Sequence, residues 1–253
     1  MSQWYTPRKV KGLYNGSQKE PFKVSRSKIE FFLECPKCFY LDRKLGILRP
    51  PGFPFNLNSA VDKLLKQEFD VYREKGLPHP IIKNYKVDAI PAKHEKINDW
   101  RNTLKGIQYF HEPTNFIVYG GIDDLWQNSK GEYIVVDYKA TAKFGDIKEL
   151  DQDWHDGYKR QMEIYQWLFR KNGFPVSDTG YFVYCNGRTY NRMFNAKLEF
   201  DVTLIPHKGG DDSWIEKAIF DIHKTLNSDK IPESGPDCDF CNYVNALEEG
   251  NTR

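Results

Sequence analysis

Two neighbouring stretches of this chain indicate its fold: Asn115-Phe-Ile-Val-Tyr-Gly-Gly-Ile-Asp-Asp-Leu-Trp126 and Glu132-Tyr-Ile-Val-Val-Asp-Tyr-Lys139. Both are rich in β-branched and aromatic residues, which favour strands. Between them, Asn128-Ser-Lys-Gly131 has the residue types of a tight turn. The two stretches are therefore predicted to pair as a β-hairpin.

Amphipathic patterns flank this hairpin on both sides. Apolar residues recur at helical spacing from Val61 to Phe69 and again from Gly157 to Lys171, where Asn172-Gly173 marks the end of the helix. Strands and helices in this order predict an α/β protein in which helices surround a central mixed sheet. The other predicted elements are a helix near 97–110, strands at 180–185 and 197–205, and a helix at about 212–226.

The N-terminal part of the chain has weaker patterns. Residues 1–24 show no periodicity and predict an irregular arm. Ser25 or Ser27 is expected to cap the helix that follows, because a hydroxyl oxygen can accept a hydrogen bond from a free backbone N–H at a helix start. Asn56 or Asn58 is expected to cap the next helix for the same reason.

The composition is that of an ordinary globular protein. Of 253 residues, 40% are apolar and 28% are charged, so the chain can bury a substantial core. The 37 Lys and Arg residues nearly balance the 35 Asp and Glu residues, for a net charge of +2. This is not the strongly basic profile of a protein that relies on phosphate contacts alone, but it is compatible with an enzyme that has a basic groove and an acidic site.

Several features of the sequence bear on its compartment. No stretch approaches the roughly 18 apolar residues that a membrane helix needs. Residues 1–12 lack the apolar core of a signal peptide. Five cysteines without a secretory signal indicate a reducing compartment. We therefore expect a cytoplasmic protein with no membrane partner.

The motif Asp-x-Lys occurs three times, and its context distinguishes one copy. The copies at 42–44 and 146–148 lack the context of the third, Asp137-Tyr-Lys139, which directly follows a run of buried-strand residues. Side chains alternate along a strand, so Asp137 and Lys139 are expected on the same face.

The partner strand of the predicted hairpin brings Asp123 and Asp124 to the same end. Two carboxylates on neighbouring strands can hold Mg²⁺, which prefers oxygen ligands. A bound metal would activate water, and Lys139 would orient that water or stabilise the developing charge. The alternative is that the two adjacent acids mark a turn and that Lys139 is a solvated strand end.

The order of these motifs resembles a known family. Gly120-x-x-Asp123 on one strand, followed by apolar-apolar-Asp-Tyr-Lys139 on the next, is similar to the core of RecB-like nucleases of the PD-(D/E)XK superfamily. The resemblance extends to the next helix, where Gln161-Met-Glu-Ile-Tyr165 matches a Gln-x-x-x-Tyr element. It implies a restriction-endonuclease-like core, a mixed central β-sheet flanked by helices, and metal-dependent hydrolysis of phosphodiester bonds in DNA.

The resemblance also implies roles for single residues. Asp123 and Asp137 would hold Mg²⁺ or Mn²⁺, and Lys139 would serve the attacking water. Asp123 is preferred to its neighbour because it lies three residues after the glycine of the motif. Gln161 and Tyr165 lie one helical turn apart and would organise the active site, although Tyr165 is equally compatible with the core.

An upstream helix in these families often supplies a histidine as a further metal ligand. The corresponding stretch here is Ser59-Ala-Val-Asp-Lys-Leu-Leu65, which places Asp62 in that position. A carboxylate can also ligate a hard metal ion. The alternative for Asp62 is a solvated position on the helix surface.

Four of the five cysteines form two Cys-x-x-Cys pairs, Cys35 with Cys38 and Cys238 with Cys241. Two such pairs can supply the four thiolates of a tetrahedral metal site. A shared site would join two parts of the chain about two hundred residues apart, which on the chain-entropy argument contributes about 4–5 kcal/mol. Cys185 lies in a strand pattern and is expected in the core.

The family resemblance leaves the metal at these cysteines open. A subgroup of RecB-like nucleases, which includes the AddB subunit and a CRISPR-associated exonuclease family, holds a [4Fe–4S] cluster through one cysteine before the core and three after it. The Cys35 position resembles the first ligand of that pattern. Here, however, Cys38 makes the arrangement two plus two, which suits Zn²⁺ as well as [4Fe–4S].

The predicted organisation and function follow from these resemblances. An exonuclease or end-processing enzyme of DNA repair or recombination is implied, acting on single-stranded DNA or free ends. The alternatives are a non-catalytic nucleic-acid-binding module and the nuclease subunit of a helicase–nuclease complex. Because the chain has no Gly-x-x-x-x-Gly-Lys-Ser/Thr loop, a helicase motor would be a separate partner. The predicted domains are an arm at 1–24 and one nuclease domain at 25–253, with a helical region at 25–110, a core sheet and helix at 111–206, and a C-terminal helix and cysteine tail at 207–253.

Overall fold

A computed structural model describes residues 7–52, 55–145, 147–152, 155–209 and 211–250. The helices are α1 Arg26–Glu34, α2 Pro36–Tyr40, α3 Asn56–Lys75, α4 Pro80–Asn84, α5 Ile97–Arg101, α6 Asp156–Lys171, α7 Ser213–Asn227 and α8 Asp239–Gly250. The strands are β1 Phe22–Ser25, β2 Ile90–Pro91, β3 Ile107–His111, β4 Phe116–Gly120, β5 Asp124–Gln127, β6 Tyr133–Thr141, β7 Thr179–Gly187 and β8 Phe200–Lys208. A π-helical turn, Leu41–Leu45, and a 3₁₀ turn, Glu112–Thr114, complete the assigned elements.

The chain divides into two compact units. The first consists of Met1–Phe53, Phe110–Val118 and Ser213–Arg253, and the second of Pro54–Tyr109 and Tyr119–Asp212. The second unit contains a five-stranded sheet with the order β2-β5-β6-β7-β8. Strands β1, β4 and β3 form a separate three-stranded sheet in that order.

The predicted hairpin forms from the second half of its first stretch. Strand β5 pairs antiparallel with β6, with Asp124 opposite Val136, whereas β6 pairs parallel with β7. Strand β7 pairs antiparallel with β8, so the sheet is mixed, as predicted. The first half of the stretch instead forms β4 in the other sheet, and that part of the hairpin prediction was wrong. The chain leaves the strand conformation at Gly121, which packs closely against the backbone of Asn102 and Thr103.

Helices cover both faces of the five-stranded sheet. Phe69 of α3 packs with Val136 and Tyr138 in one core cluster. Gln161 of α6 contacts Asp137, which alternates with those two residues and so faces the other way. Gly180 of β7 allows α6 to approach, since a Cβ there would lie 2.3 Å from the sulfur of Met162. The predicted fold class, a mixed sheet flanked by helices, is confirmed.

The first unit packs α1, α2 and α7 together. Ser25 caps α1, as predicted, by accepting a hydrogen bond from the N–H of Lys28 at 3.3 Å. Helix α8 begins directly after Cys238, so Cys241 lies in its first turn. Of the predicted irregular arm, residues 1–6 lie outside the described residues, and its last three residues belong to β1.

Two other local predictions were wrong. Neither asparagine caps α3: Phe55 occupies the cap position without a side-chain bond, and the Asn58 amide donates to the carbonyl of Ala140 at 2.6 Å. The predicted helix at 97–110 is a short helix, α5, followed by β3. Gly106 adopts a left-handed conformation with φ +61° and packs against Gly120, which ends any continuation of the helix. Among the described helices, none is both long and apolar enough to cross a membrane.

Candidate active site and cysteine cluster

Strand β6 and helix α6 bring four of the predicted site residues together in the second unit. Gln161 donates from Nε2 to Oδ1 of Asp137 at 2.6 Å and accepts at Oε1 from the Lys139 ammonium at 3.2 Å. The Lys139 ammonium also contacts the Asp137 carboxylate. The hydroxyl of Tyr165 lies 3.2 Å from the Gln161 amide. Gln161 therefore fixes the positions of both the carboxylate and the ammonium.

An aromatic ring completes the surroundings of Lys139. Its ammonium lies 4.4 Å from the centroid of Tyr158, within the range of a cation–π interaction. The lysine side chain remains partly exposed, whereas Asp137 is fully buried. Asp137 does not lie at an exposed strand end, because β6 continues to Thr141 and α6 covers this face.

Asp123 lies immediately before β5 and keeps one side open to solvent. Its Oδ2 atom accepts the backbone N–H of Tyr138 at 2.9 Å, and its Oδ1 atom lies 3.3 Å from the ammonium of Lys66. The side chain is 24% exposed. A carboxylate that is held by a strand N–H and still reaches solvent can bind a further cation.

The neighbouring Asp124 has a different environment. It is fully buried and contacts the guanidinium groups of Arg73 and Arg101, the latter at 2.7 Å. It also accepts the hydroxyl of Tyr138 at 2.8 Å and the N–H of Leu125 at 2.8 Å. Burial, together with the Asp124 charge, raises the pKa of Tyr138 well above its usual value. Asp124 is thus enclosed by protein partners. Of the two adjacent acids, Asp123 is the one that is exposed to solvent.

Helix α3 places Asp62 and Lys66 beside Asp123. Lys66 lies 2.8 Å from Asp62, one helical turn away, and bridges it to Asp123. Burial and the charge of Asp123 raise the pKa of Asp62. Burial alone would lower the pKa of Lys66, but Asp123 and Asp62 outweigh it and raise that pKa. Lys66 was not identified from the sequence, although its i,i+4 spacing from Asp62 is a recognisable signal.

A pocket of about 270 Å³ gives access to this group, and its lining includes Asn58, Asp62, Asp123, Lys139 and Tyr158. The carboxylates of Asp62 and Asp123 and the ammonium of Lys139 line the pocket, and Lys66 and the buried Asp137 contact them. Three carboxylates and two ammonium groups leave an excess of negative charge. Carboxylate oxygens are also the donors that Mg²⁺ and Mn²⁺ prefer. The residues present therefore fit a hard divalent cation.

The four paired cysteines form a second group, within the first unit. Their Sγ atoms all lie within 4.8 Å of one another, and all four residues are buried. Three of these separations are 3.5 Å for Cys38 to Cys241, 3.7 Å for Cys38 to Cys238 and 3.8 Å for Cys35 to Cys241. This arrangement fits a metal site. Cys185 lies apart, buried in the core on β7 as predicted, and burial raises its pKa to about 11.

Backbone and side-chain donors surround these sulfur atoms. Cys35 accepts the N–H groups of Cys38 at 3.4 Å and Gly235 at 3.3 Å, and Arg49 donates to Cys238 at 3.1 Å. Burial alone would raise the pKa of Cys35, but the two N–H groups and the side chains of Cys238 and Cys38 together lower it to about 6. Burial raises the pKa of Cys38 and Cys241.

Gly235 and Arg49 were not identified from the sequence. A Cβ on Gly235 would lie 1.9 Å from the carbonyl oxygen of Glu34, so only glycine lets its N–H reach the sulfur of Cys35. Both residues are distant from their cysteine partners in the chain. A Gly-Pro pair shortly before the second cysteine motif is the one local signal that points to a close turn there.

Residues 23–246 match the family described as "PD-(D/E)XK nuclease superfamily". Among solved structures, one titled "Crystal structure of SSO0001" is similar at 13% identity and a TM-score of 0.38, covering 85% of this chain and 80% of that one. No curated protein matches the chain.

Proposed function

Because this chain belongs to the PD-(D/E)XK nuclease superfamily, we propose that it is a Mg²⁺- or Mn²⁺-dependent deoxyribonuclease that hydrolyses phosphodiester bonds at the pocket beside β6. The observation that carries the proposal is that Asp123 and Lys139 line one pocket, while the Lys139 ammonium contacts the buried Asp137 and Gln161 behind it. Acidic metal ligands beside a cationic group suit metal-assisted hydrolysis of a phosphodiester bond.

Asp123, Asp137 and Asp62 would hold the metal. The metal would supply Lewis acidity toward a phosphoryl oxygen and toward a bound water. Asp123 presents its carboxylate to the pocket because the N–H of Tyr138 fixes one oxygen. Asp62 reaches the same pocket from α3.

Lys139 would orient the attacking water and stabilise charge that develops on the phosphate. Its ammonium is placed for this by Gln161 and by the ring of Tyr158. Gln161 is a positioning residue, since it bonds Asp137 and Lys139 at once. Tyr165 acts one step further away, through the Gln161 amide.

We propose Zn²⁺ for the four-cysteine site. Four thiolates at about 2.3 Å from one tetrahedral ion would lie about 3.8 Å apart. Three of the sulfur separations, 3.5 to 3.8 Å, and the 4.8 Å limit on all of them support this choice. A [4Fe–4S] cluster attaches each thiolate to a different iron and so requires wider spacing. Protein purified without oxygen should be colourless with one zinc per chain; brown protein that contains iron would overturn the zinc proposal.

The biological setting is proposed from the resemblance to RecB-like nucleases. Exonuclease or end-processing activity in DNA repair or recombination fits a nuclease of this kind, with a helicase as a possible separate partner. Proteins of the AddB and CRISPR-associated subgroup also have cysteines before and after the core. This chain would be a variant of that subgroup with two cysteines on each side. Four reduced, metal-bound thiols are consistent with a cytoplasmic location.

The direct test uses end-labelled single- and double-stranded DNA with Mg²⁺, Mn²⁺ or no added metal. We expect metal-dependent cleavage by the wild-type protein and none by Asp137→Asn, which keeps the side-chain volume. Labelled RNA in the same assay tests the preference for DNA. Equal cleavage by the wild type and by Asp137→Asn would contradict the proposed site.

A further inference from the structure

Two segments leave the five-stranded sheet at the same edge, close to the proposed active site. Strands β6 and β7 are parallel, and Thr141 at the end of β6 pairs with Asn186 near the end of β7. Lys139 lies two residues before that end. The residues that follow β6 and the β7–β8 connection therefore emerge together beside the site.

Asn186 fixes the first of these segments. Its side-chain oxygen accepts the N–H of Lys143 at 2.9 Å, and its amide donates to the carbonyls of Lys143 and Gly145 at 3.0 and 2.9 Å. Phe144 lies between the two anchored residues and is 93% exposed. An apolar ring held in solvent by a tied backbone is placed to contact another molecule.

The second segment, 188–199, is a hairpin-shaped loop that joins β7 to β8. Its base closes where the N–H of Arg188 donates to the carbonyl of Glu199 at 2.8 Å, and its tip closes where Lys197 donates to Phe194 at 2.9 Å. Asn195 and Ala196, between Phe194 and Lys197, both have positive φ, 47° and 56°. Two consecutive residues with positive φ are the signature of a type I′ turn.

The hairpin also exposes aromatic rings and cations. Tyr190 and Phe194 are 64% and 75% exposed. Arg188 pairs with both Glu199 and Asp201, so the hairpin's acidic groups are already engaged by a cation. We define the strand-end surface as three rings and three exposed cations: Phe144, Tyr190, Phe194, Lys143, Arg192 and Lys197.

We propose that the strand-end surface binds single-stranded DNA next to the active site, which rests on the proposed nuclease function and specifies its substrate. The faces of unpaired bases are free to stack on exposed aromatic rings, whereas the bases of a duplex are covered by their neighbours. The phosphates of the strand would meet the three cations. Rings and cations together match a single strand better than they match an apolar protein partner.

The test measures binding apart from cleavage. Every variant is made in an Asp137→Asn background, and binding of fluorescein-labelled oligo(dT) and of a labelled duplex is followed by anisotropy. Phe144→Ala and Phe194→Ala should each weaken oligo(dT) binding by about tenfold, in line with the loss of one stacked base. Duplex affinity should change by less than about twofold. Tyr85→Ala, which removes another half-exposed ring of the same unit, is the matched control and should leave both affinities unchanged.

Two further variants test the cations and the turn. The slope of log K against log salt concentration measures how many phosphate contacts form. Removing Lys143 and Lys197 together should lower the magnitude of this slope for oligo(dT) by about 1.4, since each phosphate contact on a single strand contributes about 0.7. Ala196→Pro cannot adopt positive φ and should weaken binding, whereas Ala196→Gly should retain it. Unfolding is excluded by comparing melting temperatures with the Asp137→Asn parent.

The outcomes separate this proposal from the proposed function. Unchanged oligo(dT) affinity in both phenylalanine variants, or an equal loss for duplex, would overturn the strand-end surface even if the wild-type protein cleaves DNA. Selective loss of oligo(dT) binding would support the surface even if the wild-type protein cleaves nothing, in which case the nuclease proposal alone would fail.

Discussion

The proposed active site and the cysteine cluster both gather groups that can carry negative charge, but they balance that charge differently. At the active site, Lys139 and Lys66 already contact the carboxylates, and Gln161 and the N–H of Tyr138 bond them. The cluster instead brings four sulfur atoms within 4.8 Å of one another, with Arg49 as a contacting cation. We infer that the active site holds its shape without metal, whereas the cluster depends on its ion.

The largest effect is expected at the cluster. Changing any one of its cysteines to serine should lower the free energy of unfolding by about 5 kcal/mol, because the ion closes a loop of about two hundred residues. The measurement is denaturant unfolding together with zinc content. Cys185→Ser is the control and should keep its zinc with a modest loss of stability. A cluster variant as stable as Cys185→Ser would remove the contrast between the two regions.

The second effect separates the adjacent acids. Asp124→Asn should destabilise the protein by about 3 kcal/mol, because it removes the buried carboxylate that Arg73 and Arg101 share and leaves them only the more exposed Asp70. Asp123→Asn should leave the melting temperature nearly unchanged. If Asp124→Asn is stable and inactive while Asp123→Asn is active, the roles assigned to the two acids are reversed.

A third effect appears in activity. Asp123→Asn and Lys139→Ala should each lower the rate of Mg²⁺-dependent cleavage by about 10²–10³-fold, since each removes charge stabilisation at the reacting phosphate. Lys139→Ala should retain metal binding, whereas Asp123→Asn should weaken it. Two measurements distinguish these cases. The cleavage rate is measured in single turnover at saturating Mg²⁺, and the affinity for Mn²⁺ is measured by titration followed by electron paramagnetic resonance. Unchanged rates in both variants would place the active site elsewhere.

The smallest effect concerns Lys66. Its ammonium bridges Asp62 and Asp123, where a divalent cation would bind, so Lys66→Met should tighten Mn²⁺ binding by about fivefold. Lys63→Met, on the same helix but not among these carboxylates, is the matched control. Weaker Mn²⁺ binding in Lys66→Met would mean that the lysine supports the metal instead of competing with it.

The sequence predicted those features that depend on short-range geometry. Strand alternation placed Asp137 and Lys139 on one face, and the helical repeat placed Gln161 near Tyr165, as the hydrogen bonds show. The alternation along a strand indicates on which face of the sheet a residue lies, but not whether a helix covers that face. The burial of Asp137 under α6 was therefore not predicted.

Features that depend on distant partners could not be predicted in the same way. Asn58 has the residue type of a helix cap, yet its amide bonds to Ala140 on β6, a contact that only the folded sheet creates. Gly235 is required by the backbone of Glu34, two hundred residues earlier. The pairing of Arg73 and Arg101 with Asp124 likewise joins three separate elements.

The contrast between the two proposed metal sites is tested most directly by measuring three quantities on one sample: DNA cleavage, zinc per chain and melting temperature. The sample is dialysed to remove weakly bound Mg²⁺ and then resupplied with it. Cleavage should disappear and return, while one zinc per chain and the melting temperature stay constant. Cleavage that persists without Mg²⁺, or folded protein with no bound metal and four freely titratable cluster thiols, would contradict the account.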